Sequence, residues 1–271
     1  MQVFISVFFF LFGLIIGSFL NCVIYRLQTD ESFLKGRSFC PNCKHTLSWQ
    51  DLIPIFSFLI LRGKCRYCKK PISWQYPLVE LATGVLFVLV LSYTFPNLLV
   101  TGYWLFITCF LIVIFVYDLE HYIIPDKVIY PAILVVGIWY FMSGIFFHLY
   151  TRYPLFTRSE ILNTTYSAFG AAVFFLLIVL ISRGKWMGIG DIKLAFLMGL
   201  FLGFPKILVA LFLAFFIGAI IGLELIIAGK KKMKSEVPFG PFLITGTFLA
   251  MFFGEQLISW YWNLFLIYNI I

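Results

Sequence analysis

Long apolar runs recur along this chain, separated by short polar joints. The first covers residues 3–20 and extends to 25; the others fall at 77–95, 98–117, 128–147, 161–182, 191–204, 206–228 and 239–258. A helix needs about 20 apolar residues to cross the hydrocarbon core of a bilayer. The pattern therefore predicts eight transmembrane helices, of which the sixth is short. Residues 259–271 carry Trp260, Tyr261 and Trp262 and read as an interfacial tail. No period typical of solenoids repeats along the chain. The first run has no basic stretch before it and no small-x-small cleavage site after it, so it reads as a permanent helix rather than a signal peptide.

Residues 26–76 break the apolar pattern. They gather most of the cysteines and many of the basic residues, with turn signals at Lys35-Gly36 and Arg62-Gly63-Lys64. Within them, 52–61 is an apolar stretch that contains Pro54 and is too short to span, so it reads as a packed or membrane-resting piece. The expected architecture is an all-α polytopic membrane protein with a small cytoplasmic domain inserted after helix 1. Its divisions are 1–25, 26–76 and 77–271.

Composition agrees. Of 271 residues, 62% are hydrophobic and 12% charged, with a mean hydropathy of +1.00. Soluble domains carry about twice that charge, so a water-soluble enzyme is excluded. The net charge of +8 is explained by topology. With the N-terminus outside, all 20 basic residues except Arg152, Arg158 and Lys206 fall on the inner side, as the positive-inside rule requires. No nucleic-acid partner is needed to account for the charge.

The cysteines form a pattern of their own. Cys40-Pro-Asn-Cys43 and Cys65-Arg-Tyr-Cys68 are two CxxC knuckles with 21 residues between them. Four thiolates in two tight pairs suit tetrahedral zinc. Two disulfides or a redox motif are the other readings, and a reducing cytoplasm disfavours the first. Four sulfur ligands leave no position for water, so such a metal is structural. Cys22 and Cys109 stand alone in apolar runs and read as packing residues.

Acidic residues number only 12, so their positions are informative. Asp118 falls at the inner end of the third span, in the segment Tyr117-Asp-Leu-Glu-His-Tyr-Ile-Ile-Pro-Asp126. Asp191 falls at the inner start of the sixth, in Gly188-Ile-Gly-Asp-Ile-Lys193. Both are placed at one membrane face although 73 positions separate them. If they meet, they share a proton, one acting as base on water and the other as acid to a scissile carbonyl. Gly188 and Gly190 would let backbone or substrate approach Asp191 closely. The plainer reading is that these are helix-end carboxylates, with Asp191 capping the sixth helix and Asp126 the fourth. Glu80 and Glu224 read as snorkelling or paired acids. Nucleophile-elbow, zinc-protease, P-loop and dinucleotide motifs are absent from the sequence.

These residues, taken in order, resemble the bacterial type IV prepilin peptidases. The resemblance is carried by Gly17-Ser-Phe-Leu-Asn21 through Tyr25-Arg26, the two CxxC pairs, Trp49-Gln-Asp-Leu-Ile-Pro54 and Leu61-Arg-Gly63. It continues in Tyr76-Pro-Leu-Val-Glu80, the segments holding Asp118 and Asp191, and Pro238-Phe-Gly-Pro-Phe242. The resemblance implies an enzyme of the bacterial inner membrane that removes the basic leader of prepilins or pseudopilins at the cytoplasmic face. It further implies methylation of the new N-terminal amine with S-adenosylmethionine. Asp118 and Asp191 match the family's catalytic aspartates, and Cys40, Cys43, Cys65 and Cys68 its zinc ligands. Gly188, Gly190, Asp126 and Lys193 stand beside the aspartates as supporting positions. A peptidase without methyl transfer, a transporter and a non-enzymatic assembly scaffold are the competing readings. A transporter would place its charges near the bilayer midplane, and a scaffold would find both aspartates dispensable.

Overall fold

The computed structural model describes residues 2–29, 36–150, 158–229 and 237–268. Lys35, Arg152, Lys230, Lys231, Lys232 and Lys234, which carry part of the charge asymmetry, lie outside the described residues.

The chain is helical: α1 (Gln2–Thr29), α2 (Phe56–Ile60), α3 (Gln75–Thr94), α4 (Leu98–His121), α5 (Asp126–Tyr150), α6 (Arg158–Ser182), α7 (Ile189–Leu202), α8 (Lys206–Ile227) and α9 (Gly240–Tyr268). All eight expected spans form helices. Among the described residues, 7 have the length and apolar composition to cross a bilayer. The eighth, α7, has 14 residues. One expectation is refined: residues 259–268, read as an interfacial tail, continue α9 without a break. The segment from Glu255 to Tyr268 contains neither Gly nor Pro, so nothing in it stops the helix.

The structure divides into two compact units, Met1–Val113 and Ile114–Ile271. In the first, α1 packs along α3. A Cβ on Gly13 would lie 2.7 Å from Gly84 Cα, and one on Gly17 would lie 2.7 Å from Glu80 Cα. In lipid the hydrophobic effect does not drive helices together, so close backbone approach through small residues supplies the packing. The Cys-rich segment belongs to this same unit. In its 52–61 stretch, Phe58 is buried against Trp74 while Ile53, Phe56, Leu59 and Ile60 are exposed.

In the second unit α7 is the central element. It packs along α6 and also touches α5, α8 and α9, while α8 and α9 form a second close pair. Leu194, Ala195, Leu197 and Met198 of α7 are fully buried. The far end of α7 is pinned from two sides. Tyr140 of α5 donates its hydroxyl to the Leu200 carbonyl at 2.7 Å. The Asn163 side chain donates to the Phe204 carbonyl at 2.9 Å and accepts from the Phe204 N–H at 3.1 Å. A buried central helix fixed at its C-terminal end gives its first turn, where Asp191 sits, a defined position.

Candidate functional site

The two knuckles are copies of one backbone turn. Cys40 N–H donates to the His45 carbonyl at 2.9 Å, and Lys44 N–H returns to the Cys40 carbonyl at 2.8 Å. In the second, Cys65 N–H donates to the Lys70 carbonyl at 2.9 Å, and Lys69 N–H returns to the Cys65 carbonyl at 3.0 Å. Lys44 and Lys69 take the same left-handed conformation, with φ of 59° and 58°. Bridges at Phe39↔Thr46 and Lys64↔Pro71 close the two turns in the same way. The Cys-x-x-Cys-Lys string repeated in the sequence is the local cause.

The turns bring Cys40, Cys43, Cys65 and Cys68 together, with all four sulfurs within 4.8 Å of one another. A tetrahedral ion with arms of about 2.3 Å sets its sulfur ligands about 3.8 Å apart. Cys40 Sγ and Cys68 Sγ are separated by 3.9 Å. The donor set and its spacing fit a structural metal of the zinc type. Burial raises the Cys40 thiol, but the N–H groups of Cys43 and Asn42 and the neighbouring sulfurs outweigh it and bring it down to about 7. At Cys43 an N–H from His45 pulls the other way, yet desolvation and the sulfurs of Cys40 and Cys68 push it up to about 11. The metal-free cluster therefore holds protons that an incoming ion must displace.

Asp51 ties the 49–52 turn to the second knuckle. It accepts from Arg66 Nε at 2.7 Å and from the Ser48 N–H and hydroxyl at 3.1 and 2.8 Å. Burial favours the neutral acid, but Arg66 and Ser48 together hold its carboxyl below the usual range. The sequence marks Asp51 only as part of the Trp49–Pro54 string; its clamp appears in the fold alone.

The second group of side chains lies in the second unit. Asp118 is on the last turn of α4 and Asp191 on the first turn of α7, with exposures of 4% and 8%. The two carboxylates are close enough for the charge of Asp118 to act on Asp191. Each also has one oxygen held by a backbone N–H at a helix start. Asp191 Oδ2 accepts from Gly188 N–H at 3.1 Å, just ahead of α7. Asp118 Oδ2 accepts from Gly240 N–H at 3.0 Å, the first residue of α9. Such N–H groups have no partner within their own helix, and the helix dipole there favours negative charge.

The turn after α4 brings the two motifs into register. Tyr122 takes a left-handed φ of 60° and its N–H donates to the Asp118 carbonyl at 2.9 Å. The chain then passes through Ile124, which faces Gly190 so closely that a Cβ there would lie 3.0 Å from the isoleucine Cβ. One turn on, Lys193 Nζ meets Asp126 Oδ1 at 2.6 Å and lies 4.8 Å above the Tyr130 ring. Of the four supporting positions, Gly188 gives its N–H to Asp191, Gly190 is a close-contact point for Ile124, and Asp126 and Lys193 form an ion pair with each other.

Two expectations are refined. Asp191 does accept from its own helix start, so the capping role is present beside the electrostatic influence of Asp118. Glu80 does not snorkel: it is 7% exposed and accepts from the Ile55 N–H at 2.7 Å. The residues that sequence reasoning passed over are Gly240 and Ile124. The only signal for Gly240 was its place between aromatic and proline neighbours in Pro238-Phe-Gly-Pro-Phe242.

Comparison with known proteins places these two groups of residues in two adjoining family patterns. Residues 11–94 match the Bacterial Peptidase A24 N-terminal domain. Residues 105–223 match the Type IV leader peptidase family. Curated relatives named prepilin leader peptidase/N-methyltransferase align over nearly the whole chain. The Aeromonas salmonicida (strain A449) protein is 31% identical, over 93% of this chain and 92% of its own. The Bacillus subtilis (strain 168) protein is 32% identical, over 93% and 96%. The Legionella pneumophila protein is 32% identical, over 93% and 92%. No solved structure matched.

Proposed function

From the premise that this chain belongs to the type IV leader peptidase family, we propose that it cleaves prepilin leaders with Asp118 and Asp191 and then methylates the new N-terminus. The activity pair follows the relatives' names. The assignment of residues rests on one observation: two buried carboxylates from distant motifs lie within electrostatic reach, each anchored by a helix-start N–H.

In this mechanism the pair carries one proton. The ionised member takes a proton from water as the water attacks the scissile carbonyl, and the protonated member donates to the carbonyl oxygen. The anchoring N–H groups of Gly188 and Gly240 fix each carboxylate by one oxygen and leave the other for water or substrate. The short α7 supports a recessed site. Its 14 residues span about 21 Å, less than the hydrocarbon thickness of about 30 Å. A prepilin that places its basic leader in water and its apolar segment in lipid would bring the junction between them to such a depth.

The protein sits in the bacterial inner membrane with its N-terminus outside and the knuckles and aspartates at the cytoplasmic face. The charge distribution supports that orientation. Zinc on Cys40, Cys43, Cys65 and Cys68 staples the segment 26–76. S-adenosylmethionine supplies the methyl group. Prepilins or pseudopilins and the lipid bilayer are its partners, and no nucleic acid is required.

The test is cleavage of a prepilin by purified protein. Asp118→Asn and Asp191→Asn should each remove cleavage almost completely, and the double variant should lose little more, as for residues acting as a unit. Both single variants should still methylate a pre-cleaved pilin. Cleavage at wild-type rate in either variant refutes the dyad.

A further inference from the structure

Within the second unit, two spans leave a space between them. α6 packs along α7 and α8 along α9, but α6 and α8 do not lie along each other. A groove of about 620 Å³ separates them, walled by Gly170, Ala171 and Phe174 of α6 and by Leu208, Leu211 and Phe212 of α8. That volume falls within the range of about 300–1,000 Å³ typical of small-molecule sites. Among the described residues no charged side chain lines it. Two of its polar side chains are engaged inside the protein: the Asn163 amide holds the Phe204 backbone, and Ser167 donates its hydroxyl to the Asn163 carbonyl at 2.7 Å.

Gly170 keeps this space open. Glycine is disfavoured in a helix interior, and on the neighbouring helix Gly199 offsets that cost by close packing, since a Cβ there would collide with the Ala168 backbone. A Cβ on Gly170 meets nothing within 4 Å. No other part of the fold uses the room that its missing side chain leaves.

The depth of the groove selects its occupant. Phe204 follows the C-terminal end of α7, opposite the end that carries Asp191, and Asn163 is bonded to it. Phe174 and Phe215 line the other end, where their ring centroids stand 6.3 Å apart and bridge the two helices. From Asn163 to Phe174 the α6 backbone rises about 16 Å, half of a hydrocarbon core about 30 Å thick. A transmembrane helix of a partner needs a width of about 10 Å and the full depth of the bilayer, and it would meet the ring bridge halfway. A single lipid chain needs neither. Both α6 and α8 have the length and composition of membrane spans and are mostly unburied, so the groove opens to lipid. Tyr166, with an aromatic body and a polar tip, lines the groove one turn from Asn163, where a headgroup would stand.

We propose that this groove is a specific site for one acyl chain of a phospholipid, in the leaflet away from the aspartates. The chain leaves lipid rather than water, so its binding comes from van der Waals contact with both walls, which an empty groove would forfeit. The seated chain also braces a ring cluster that reaches the aspartates. Phe215 stacks with Phe175 at 6.1 Å and lies 5.0 Å from Phe239, the neighbour of Gly240, whose N–H holds Asp118.

The test uses the full-length protein, wild type and Gly170→Leu, whose side chain fills the groove from within. Both are reconstituted in vesicles of phosphatidylethanolamine and phosphatidylglycerol that contain a phospholipid with a photoactivatable diazirine at mid-chain. On illumination, label in wild type should concentrate on 163–174 and 204–215. Gly170→Leu should lower it there about tenfold and leave labelling of the other spans unchanged. Stripping lipid from wild type with detergent should lower its unfolding temperature by about 5 °C or more, and added phospholipid should restore it. The leucine variant should unfold at one temperature with or without lipid. Should that variant fail to fold, the wild-type label decides alone, and label spread evenly over all spans overturns the site. Equal label at the groove in both folded proteins overturns it too. So does displacement of the label by an added prepilin, which would give the groove to a substrate helix, or a disulfide between two Phe212→Cys copies that excludes the label, which would give it to a second copy.

Discussion

Replacing Gly240 by Ala tests whether the exact position of Asp118 matters. A Cβ at this position would lie 2.5 Å from Asp118 Oδ2 and 3.2 Å from its Cγ. Ordinary contacts between heavy atoms begin near 3.5 Å, so the carboxylate oxygen must retreat by about 1 Å. The atom in the way is the end of a side chain rather than backbone, so the fold can absorb the change. Alanine near a helix start is also favoured over glycine by up to about 1 kcal/mol, so expression and unfolding temperature should hold. The 3.0 Å bond from Gly240 N–H is the casualty, and with it the aim of the carboxylate. A displacement of about 1 Å in a catalytic group costs about 100-fold in rate, which is about 2.7 kcal/mol of transition-state stabilisation. The assay is steady-state cleavage of a purified prepilin, in which kcat should fall by that factor with KM little changed. In an Asp118→Asn background the glycine change should add almost nothing, because its effect passes through the carboxylate. A folded Gly240→Ala protein that cleaves within about threefold of wild type, where about 100-fold loss is expected, refutes the positioning role.

Four further outcomes are expected. Cys40→Ser or Cys65→Ser should release the metal and destabilise the segment 26–76, measured by metal analysis and limited proteolysis. In the wild type, metal affinity should fall between pH 8 and pH 6, because Cys40, at about 7, regains its proton across that range while Cys43, at about 11, holds one throughout, and the ion must displace both; affinity that rises on acidification contradicts thiolate ligation. The Lys193–Asp126 pair has an Asp126 side chain 58% exposed, so Asp126→Ala should change stability by only about 0–1 kcal/mol while lowering cleavage several-fold through the register of α5 against α7, read by unfolding and kinetics on the same sample. Reporters fused after Lys70 and Lys234 should read cytoplasmic and one after Arg158 external, and a cytoplasmic signal at Arg158 overturns the orientation.

The sequence determined the number and kind of elements. Whether a run of residues enters a bilayer depends on its own summed transfer free energy, so eight helices could be counted from the chain alone, including α7 at 14 residues. The metal cluster was legible for a similar reason, since a CxxC turn is local and the two copies differ little. The rarity of acidic residues singled out Asp118 and Asp191, but their spacing of 73 positions says nothing about distance. That the charge of Asp118 reaches Asp191 is decided by tertiary contacts such as Gly190 on Ile124 and Gly240 N–H on Asp118, which have no one-dimensional signature. The N–H of Gly240 reaches Asp118 across 122 positions. Hydrophobicity adds along the chain and can be read there. Side-chain meetings depend on which small residues allow two backbones to touch, and only the packed structure decides that.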